Sequence, residues 1–388
     1  MATGHLKTRK CADGTTSYQL VVETDRDPIT GKRQRFYKTV KGTKKQANAM
    51  LRQMIFNLQN GTVTTPSAIK LSSWMNTWLN TYLPNIELTT RDGYEEKIKN
   101  YIIPALGHIP LNALNNQTIQ SWILSLSNKG LSPKTIRNAY NNLNAALKKA
   151  VVLRMIPYNP CDGTELPKLE KHEARVYSIS DIQKALAAAD NVAMYMMILL
   201  GATLGLRRGE MAALRWNDVN FDKNTVSITT NRVHANRQVV QKAPKTKASR
   251  RTITVGADVM DALREAKALY DVCVATTPGF RDLGYIVWKE KTGEPYHPDS
   301  LTQKWERFVE KNGLPPLCLH GLRHSNATAL IASGVSAKVV QHRLGHSDIS
   351  VTLNTYAHVL PCMDEDAASK LDQALFSSGQ TLNHLPLR

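Results

Sequence analysis

The chain has 388 residues, enough for two or three domains with cores of their own. It is 42% hydrophobic and 21% charged with no long low-complexity tract, which excludes a disordered or fibrous polymer. Fifty Lys and Arg against 32 Asp and Glu give a net charge of +18, which points to a polyanionic partner, either nucleic acid or an anionic membrane. The membrane reading is the weaker one. The longest apolar run, Met194–Leu206, has 13 residues, too short to span and better read as a buried helix. The first ten residues lack the apolar core of a signal peptide. Cys11, Cys161, Cys273, Cys318 and Cys362 are scattered without a C-x-x-C pair, so reduced thiols in a cytoplasmic compartment are expected.

The charge is uneven. Residues 1–65 hold 12 Lys and Arg against 4 Asp and Glu, almost half of the excess. A basic module on a milder body suggests a dedicated DNA- or RNA-binding unit; the competing reading is a solvated basic surface that binds nothing. Within it, TSYQLVVETD and RQRFYKTV alternate polar and apolar residues around a Pro- and Gly-containing turn, which predicts strands. A helix follows over TKKQANAMLRQMIFNLQNG, with Thr43 as N-cap and Gly61 just past its end. The first module, 1–62, is therefore read as a small three-stranded sheet plus a helix. Arg35 and Lys38 are its candidate DNA contacts. Residues 62–70 read as a polar linker.

Residues 71–160 read as a helical bundle. Leu71, Trp74, Met75 and Trp78 share one helical face. Pro104 is expected to end the next helix, Gly130 to follow another, and Ser132 with Pro133 to open the last. Lys134, Thr135 and Arg137 stand at that N-terminus, where donors suit phosphate contact or simply face solvent. Residues 157–178 read as a second linker, rich in proline and lacking an apolar period. A third domain, 175–388, follows. A capped helix and a buried helix lead through LRRGEMAAL into strands, RQVVQKAPKTKASRRTITV reads as two strands joined by a basic hairpin, and 257–375 is mostly helical. The fold class is thus multidomain α+β, with a mainly helical last domain carrying a small antiparallel sheet.

The chemistry is concentrated in that last domain. Arg207 and Arg208 follow the buried helix, and a guanidinium near it needs a carboxylate or a phosphate partner. Glu210 could supply the first. His320 and Arg323 are three apart, so a helix puts them on one face. His320 and His324, and His342 and His346, have H-x-x-x-H spacing, but the glutamate a metalloprotease needs is replaced by Gly321 and Arg343, so no metal is expected. Lys245 and Lys247 lie in the basic connection. Tyr356 follows His346 by ten residues. Cationic donors with a tyrosine, and no carboxylate cluster or Gly-rich loop, suggest metal-free phosphoryl transfer. Arginines would hold the non-bridging oxygens. The tyrosine would attack phosphorus, and a lysine or histidine would protonate the leaving oxygen.

The ordered motifs GLRRGE, KTKASRRT, HGLRH, LGHSD and NTYAH together resemble those of the tyrosine recombinase (phage integrase) family, and the resemblance covers nearly the whole chain. It implies a site-specific recombinase that cuts and rejoins DNA through a 3′-phosphotyrosyl link, without cofactor. By position, Arg207, His320, Arg323 and His346 resemble the family's phosphate-side residues, and Tyr356 its nucleophile. Lys245 resembles its general acid, with Lys242 and Lys247 as competitors, and Glu210 matches an auxiliary acidic position. The module over 1–62 resembles an arm-type DNA-binding domain, and 71–160 a core-binding domain. The implied partners are double-stranded attachment sites of core and arm type, a homotetramer passing through a Holliday junction, an excision factor and a host DNA-bending protein. The implied setting is the nucleoid of a bacterial cytoplasm, with no membrane. Segment 361–376 has a helical period and could dock on a neighbouring protomer or on its own domain. Two other readings stand beside this one: a type IB topoisomerase, and a catalytically silent DNA-binding regulator.

Overall fold

The structure is a computed structural model, and it describes residues 3–10, 16–26, 33–59, 69–169, 175–235, 238–243, 249–348, 368–369 and 371–373. The chain divides into two compact units, 1–170 and 171–388.

The first unit opens with an antiparallel sheet in the order β1 (Thr3–Lys10), β2 (Thr16–Arg26), β3 (Arg33–Lys41), followed by α1 (Lys44–Gln59). Leu20 and Val22 of β2 pack with Leu51 of α1. Gly4 lets the helix come close, since a Cβ there would meet Leu51 Cδ1 at 3.0 Å. Thr43 caps α1 reciprocally: its hydroxyl accepts from the Gln46 N–H at 3.3 Å, and Gln46 Oε1 accepts from the Thr43 N–H at 3.0 Å. β1 comes from a stretch whose one large apolar residue is Leu6, too little for a periodic signal.

A separate core holds the bundle together. Its helices are α2 (Leu71–Thr77), α3 (Leu88–Lys97), α4 (Ile103–Leu106), α5 (Asn116–Asn128) and α6 (Pro133–Val152). Leu71, Trp74, Met75 and Trp78 are all buried, as their spacing implies. Ser132 caps α6 with Pro133 in its first turn, and Gly130 follows α5 at φ +76°. Pro104 does not end its helix. The chain widens into a π-helical stretch, Ile98–Ile102, and the proline sits in the first turn of α4, where its missing N–H costs little.

The segment after α6 is not a loose linker over its whole length. Tyr140 donates to the Cys161 carbonyl at 2.9 Å, and Asn116 to the Asp162 carbonyl at 2.8 Å. Gln120 accepts from the Glu165 N–H at 2.9 Å and donates to its carbonyl at 3.2 Å. Arg137 donates to the Pro167 carbonyl at 2.8 Å. Side chains of α5 and α6 thus satisfy the backbone groups that Pro-rich, non-periodic chain leaves without internal partners.

The second unit begins with α7 (Ile179–Ala187), capped by Ser178 and Asp181, and the buried α8 (Val192–Leu204), which stops at Gly205 with φ +61°. The short α9 (Arg208–Met211) leads to five strands. β4 (Val219–Asn220), β5 (Thr225–Ile228) and β8 (Arg251–Thr254) form one sheet, while β6 (Asn231–Ala235) and β7 (Gln238–Lys242) form a hairpin. The two strands expected in RQVVQKAPKTKASRRTITV exist, but they pair with β6 and β5 respectively and not with each other. The basic connection therefore joins two sheets. Among the described residues the unit continues through α10 (Ala257–Thr276), α11 (Pro298–Lys311), α12 (Leu319–Ala332) and α13 (Ala337–Leu344). Its core includes Trp216, Tyr270, Trp288 and Trp305. α12 packs closely on α8, where a Cβ on Gly201 would meet Leu322 at 3.0 Å. Among the described residues no helix is long and apolar enough to cross a membrane.

Candidate active site

Arg207 is the N-cap of α9, held there by Glu210 three residues on. One carboxylate oxygen of Glu210 accepts from the Arg207 backbone N–H at 2.9 Å, and the other accepts from Arg207 Nη1 at 2.9 Å. The same two oxygens accept from Arg251 of β8, Oε1 from Nη1 at 3.2 Å and Oε2 from Nη2 at 3.0 Å. All four acceptor positions of the carboxylate are filled. Burial alone would raise the Glu210 pKa, but the hydrogen bonds and charge of Arg251, with those of Arg207, outweigh it and hold it below the ordinary value. Glu210 is therefore a carboxylate already committed. Arg207 keeps a solvent-facing edge, with 36% of its side chain exposed.

A second feature links the arginines. Arg251 Nε donates to the Arg343 carbonyl at 2.6 Å, Arg323 Nη2 to the Leu344 carbonyl at 2.7 Å, and Arg207 Nη2 to the Gly345 carbonyl at 3.2 Å. Three consecutive carbonyls at the end of α13 thus take one guanidinium each. These are orphan groups that the helix cannot satisfy itself, and they carry the negative end of its dipole. Gly345, at φ +66°, turns the chain away so that the carbonyls stay accessible. Arg323 also reaches the Gly205 carbonyl at 2.6 Å, at the corresponding end of α8. Asn326, one turn along α12, donates to the Ala202 and Thr203 carbonyls at 2.8 and 3.1 Å. The buried Arg323 thus bridges two helix ends.

His320 and His346 face this group. Desolvation of each ring, then nearby positive charge, pushes the pKa of both down to about 4; for His320 the charges are led by His324 and then Arg323 and Arg207, for His346 by Arg323 and Arg207. His320 still presents an exposed face, whereas His346 is half-buried. His324, edge-on to His320 with ring centroids 4.9 Å apart, is depressed as well. Both site imidazoles are thus neutral near pH 7. A stability consequence follows. An unfolded histidine titrates near 6.5, so between about pH 6.5 and 4 the unfolded chain binds more protons than the folded one. Stability is expected to fall as pH drops through that window and to owe nothing to these groups above it. Thermal unfolding from pH 8 to 4.5 checks this: a His320→Asn/His346→Asn protein should show a shallower acid slope, and an unchanged slope would contradict it.

The group is therefore rich in cationic donors and poor in acceptors other than backbone, an arrangement that suits a phosphate oxyanion. Comparison with known proteins agrees. The phage integrase family model matches residues 173–362, and that of the phage integrase N-terminal SAM-like domain matches residues 70–127. The chain belongs to the phage integrase family. It is 29% identical to a tyrosine recombinase XerC-like protein of Caldanaerobacter subterraneus over 94% of this chain and 98% of that one. It is 25% identical to the ICEBs1 integrase of Bacillus subtilis over 92% and 97%. In fold it is similar to the Tn1549 transposon integrase solved with a circular intermediate DNA (TM-score 0.67, 21% identity, 77% of this chain and 99% of that one). It is also similar to the lambda integrase tetramer solved on a Holliday junction (TM-score 0.57, 20% identity, 90% and 94%).

The integrase motifs can now be placed. Arg207, Glu210, His320, Arg323 and His346 stand together. Lys245, Lys247 and Tyr356 lie outside the described residues, as does most of segment 361–376. Lys242, at the end of β7, is described. Arg208 turns away from the group to Asp299 at 2.9 Å. Its partner carboxylate also bonds His234 and lies near His297, the one trio among the described residues that could converge on a metal, and it is separate from the H-x-x-x-H pairs. In the first unit, Arg35 is ion-paired with Glu23 at 2.8 Å. Lys38 lies across from Leu20, and Arg35 across from Glu23, so the strand alternation puts the two on opposite faces of the sheet. Lys134 is exposed and Thr135 partly so at the start of α6, while Arg137 is engaged with the chain after the bundle. Arg251 was missed among the candidates. The alternation of β8 carries its signal: Ile253 is buried and Thr252 and Thr254 are exposed, so Arg251 of the Arg250–Arg251 doublet faces inward.

Proposed function

We propose that Arg207 and Arg323 grip the scissile phosphate of duplex DNA while Tyr356 attacks it. The protein is a site-specific DNA recombinase, an integrase of mobile DNA. The observation that carries the division of roles is the meeting of Arg207, Arg323 and two neutral imidazoles at the end of α13, with Glu210, the carboxylate that holds Arg207, fully occupied. In the attack, the Tyr356 oxygen bonds phosphorus as the phosphorus–O5′ bond breaks. The tyrosine gives up its proton, and Lys245 supplies one to the departing 5′ oxygen, with Lys242 and Lys247 as its competitors. His320 and His346 donate N–H groups to the non-bridging oxygens, and the added negative charge relieves the cationic pressure on both rings. A 5′-hydroxyl of a second strand reverses the step, so the 3′-phosphotyrosyl link conserves the bond energy.

The helical bundle, 71–160, would clamp the core site, with Lys134 and Thr135 toward phosphate, and the sheet module, 1–62, would bind arm-type DNA through one face of its sheet, with Arg35 and Lys38, on opposite faces, as alternative contacts. Four copies would exchange strands through a Holliday junction, the state in which lambda integrase is solved. An excision factor and a host DNA-bending protein would set direction, in the nucleoid of a bacterial cytoplasm. The basic first module and the matched SAM-like domain favour this reading over a type IB topoisomerase.

The test is a nicked suicide duplex taken from the DNA flanking the gene, incubated in EDTA. A covalent adduct is expected from the native protein and none from Tyr356→Phe, whose non-covalent affinity should stay within about threefold. No adduct from the native protein, or an adduct from Tyr356→Phe, would overturn the assignment. Strand exchange between two duplexes separates an integrase from a topoisomerase.

A further inference from the structure

We propose that Arg251, which stands outside the phosphate-gripping set, is a positioning residue for the recombination reaction. It fixes Arg207 through Glu210 and the end of α13 through the Arg343 carbonyl, so that both sides of the phosphate site are set by one side chain. The proposal rests on the roles given above to Arg207 and Arg323.

The geometry is specific to a guanidinium in this place. Arg251 uses Nη1 and Nη2 on the two oxygens of Glu210, at 3.2 and 3.0 Å, and Nε on the Arg343 carbonyl at 2.6 Å. Nη1 also reaches the Ser249 carbonyl at 3.1 Å. Its side chain is 1% exposed, so solvent cannot substitute for any of these contacts. A planar fork with three donor nitrogens can hold a carboxylate edge-on and a carbonyl beside it, whereas an ammonium can hold only one geometry at a time. Each of its partners leads to the site. Glu210 holds both the backbone and the guanidinium of Arg207. Arg343 is followed by Leu344 and Gly345, whose carbonyls hold Arg323 and Arg207, and then by His346. Arg251 also anchors the start of β8, two residues from Ser249 and so at the end of the connection that carries Lys245. A change at Arg251 would thus misplace three groups of the phosphate site together, although Arg251 itself touches none of the reacting atoms.

Arg251→Lys and Arg251→Gln test this. On the same suicide duplex, the lysine protein should cleave about a hundredfold more slowly in single turnover, with DNA affinity within about threefold of the native value and a preserved thermal transition. In Arg251→Gln the carboxylate of Glu210 loses its strongest counter-charge while staying buried, so its protonation should move up into the assay range. The cleavage rate of that protein should acquire an acid limb that the native protein lacks and that Glu210→Gln/Arg251→Gln removes. A lysine protein that cleaves within threefold of native would overturn the proposal. So would a loss of rate accompanied by loss of DNA binding and of the thermal transition, or a pH-independent loss in Arg251→Gln, since these mark a scaffold residue only. Failure of the native protein to form any adduct would instead refute the reading on which the proposal rests.

Discussion

Arg323→Ala is expected to lower cleavage about a hundredfold to a thousandfold and to destabilise the second unit measurably. Two separate losses combine. The first is chemical: a guanidinium aimed at developing charge on phosphorus in a water-poor site is worth roughly 3–4 kcal/mol, and its loss costs about 10² to 10³ in rate. The second is structural. Arg323 is 1% exposed and holds the Gly205 and Leu344 carbonyls, at the ends of α8 and α13. Removing it leaves two buried acceptors, at roughly 1–3 kcal/mol each, against a total stability of about 5–15 kcal/mol. α13 then loses one of its three anchors, and His346 shifts with it. Arg323→Lys separates the two losses: an ammonium can reach one carbonyl, so stability should recover part-way while cleavage stays low. Thermal unfolding and the suicide-duplex assay, run on both proteins, check this. Native-like unfolding in Arg323→Ala would show that the carbonyl contacts matter little.

The comparison of Arg323 with Arg251 explains what could be read from sequence and what could not. Arg323 sits three residues after His320, and helical spacing alone puts them on one face. Arg207 with Glu210 is likewise a local pair, closed within one turn. The motifs GLRRGE, HGLRH and LGHSD therefore locate the described part of the site, because each is short and each carries unusual side chains. The contacts that join them are of another kind. Arg343, Leu344 and Gly345 take part through their carbonyls, and a carbonyl has no residue signature. Only the glycine, ending α13 at positive φ, hints that a helix terminates there with groups to satisfy. Arg251 was legible in principle from the alternation of β8, but the neighbouring Arg250 blurs it. The same limit applies to the fold. Thr43, Ser132 and Ser178 announce helix starts because capping is local. The pairing of β8 with β5, and the fastening of residues 159–167 to the bundle by Asn116, Gln120, Arg137 and Tyr140, depend on groups distant in the chain. Pro104 misleads for a related reason: the π-helical turn before it relieves the clash that a regular helix would impose.

Glu210→Ala should be among the most destabilising single changes in the site. The carboxylate is 3% exposed and balances Arg251, whose side chain is 1% exposed. Removing one partner of a buried ion pair leaves the other uncompensated, typically at about 3–5 kcal/mol. Arg207 loses two of its contacts in the same change, so cleavage should fall with stability. These effects can be pulled apart, because a buried pair is not intrinsically stabilising: apolar residues of similar volume often serve the fold as well or better. A Glu210→Leu/Arg251→Met protein removes both charges at once and fills the space. It should regain most of the melting temperature lost in Glu210→Ala. Its cleavage should remain at least about a hundredfold down, since Arg207 has then lost Glu210 and the end of α13 has lost its Arg251 anchor. Recovery of both properties would mean that the pair serves packing alone. Recovery of the fold without recovery of cleavage would mean that this buried charge is kept for the placement of Arg207, at a site where a hydrophobic core would fold equally well.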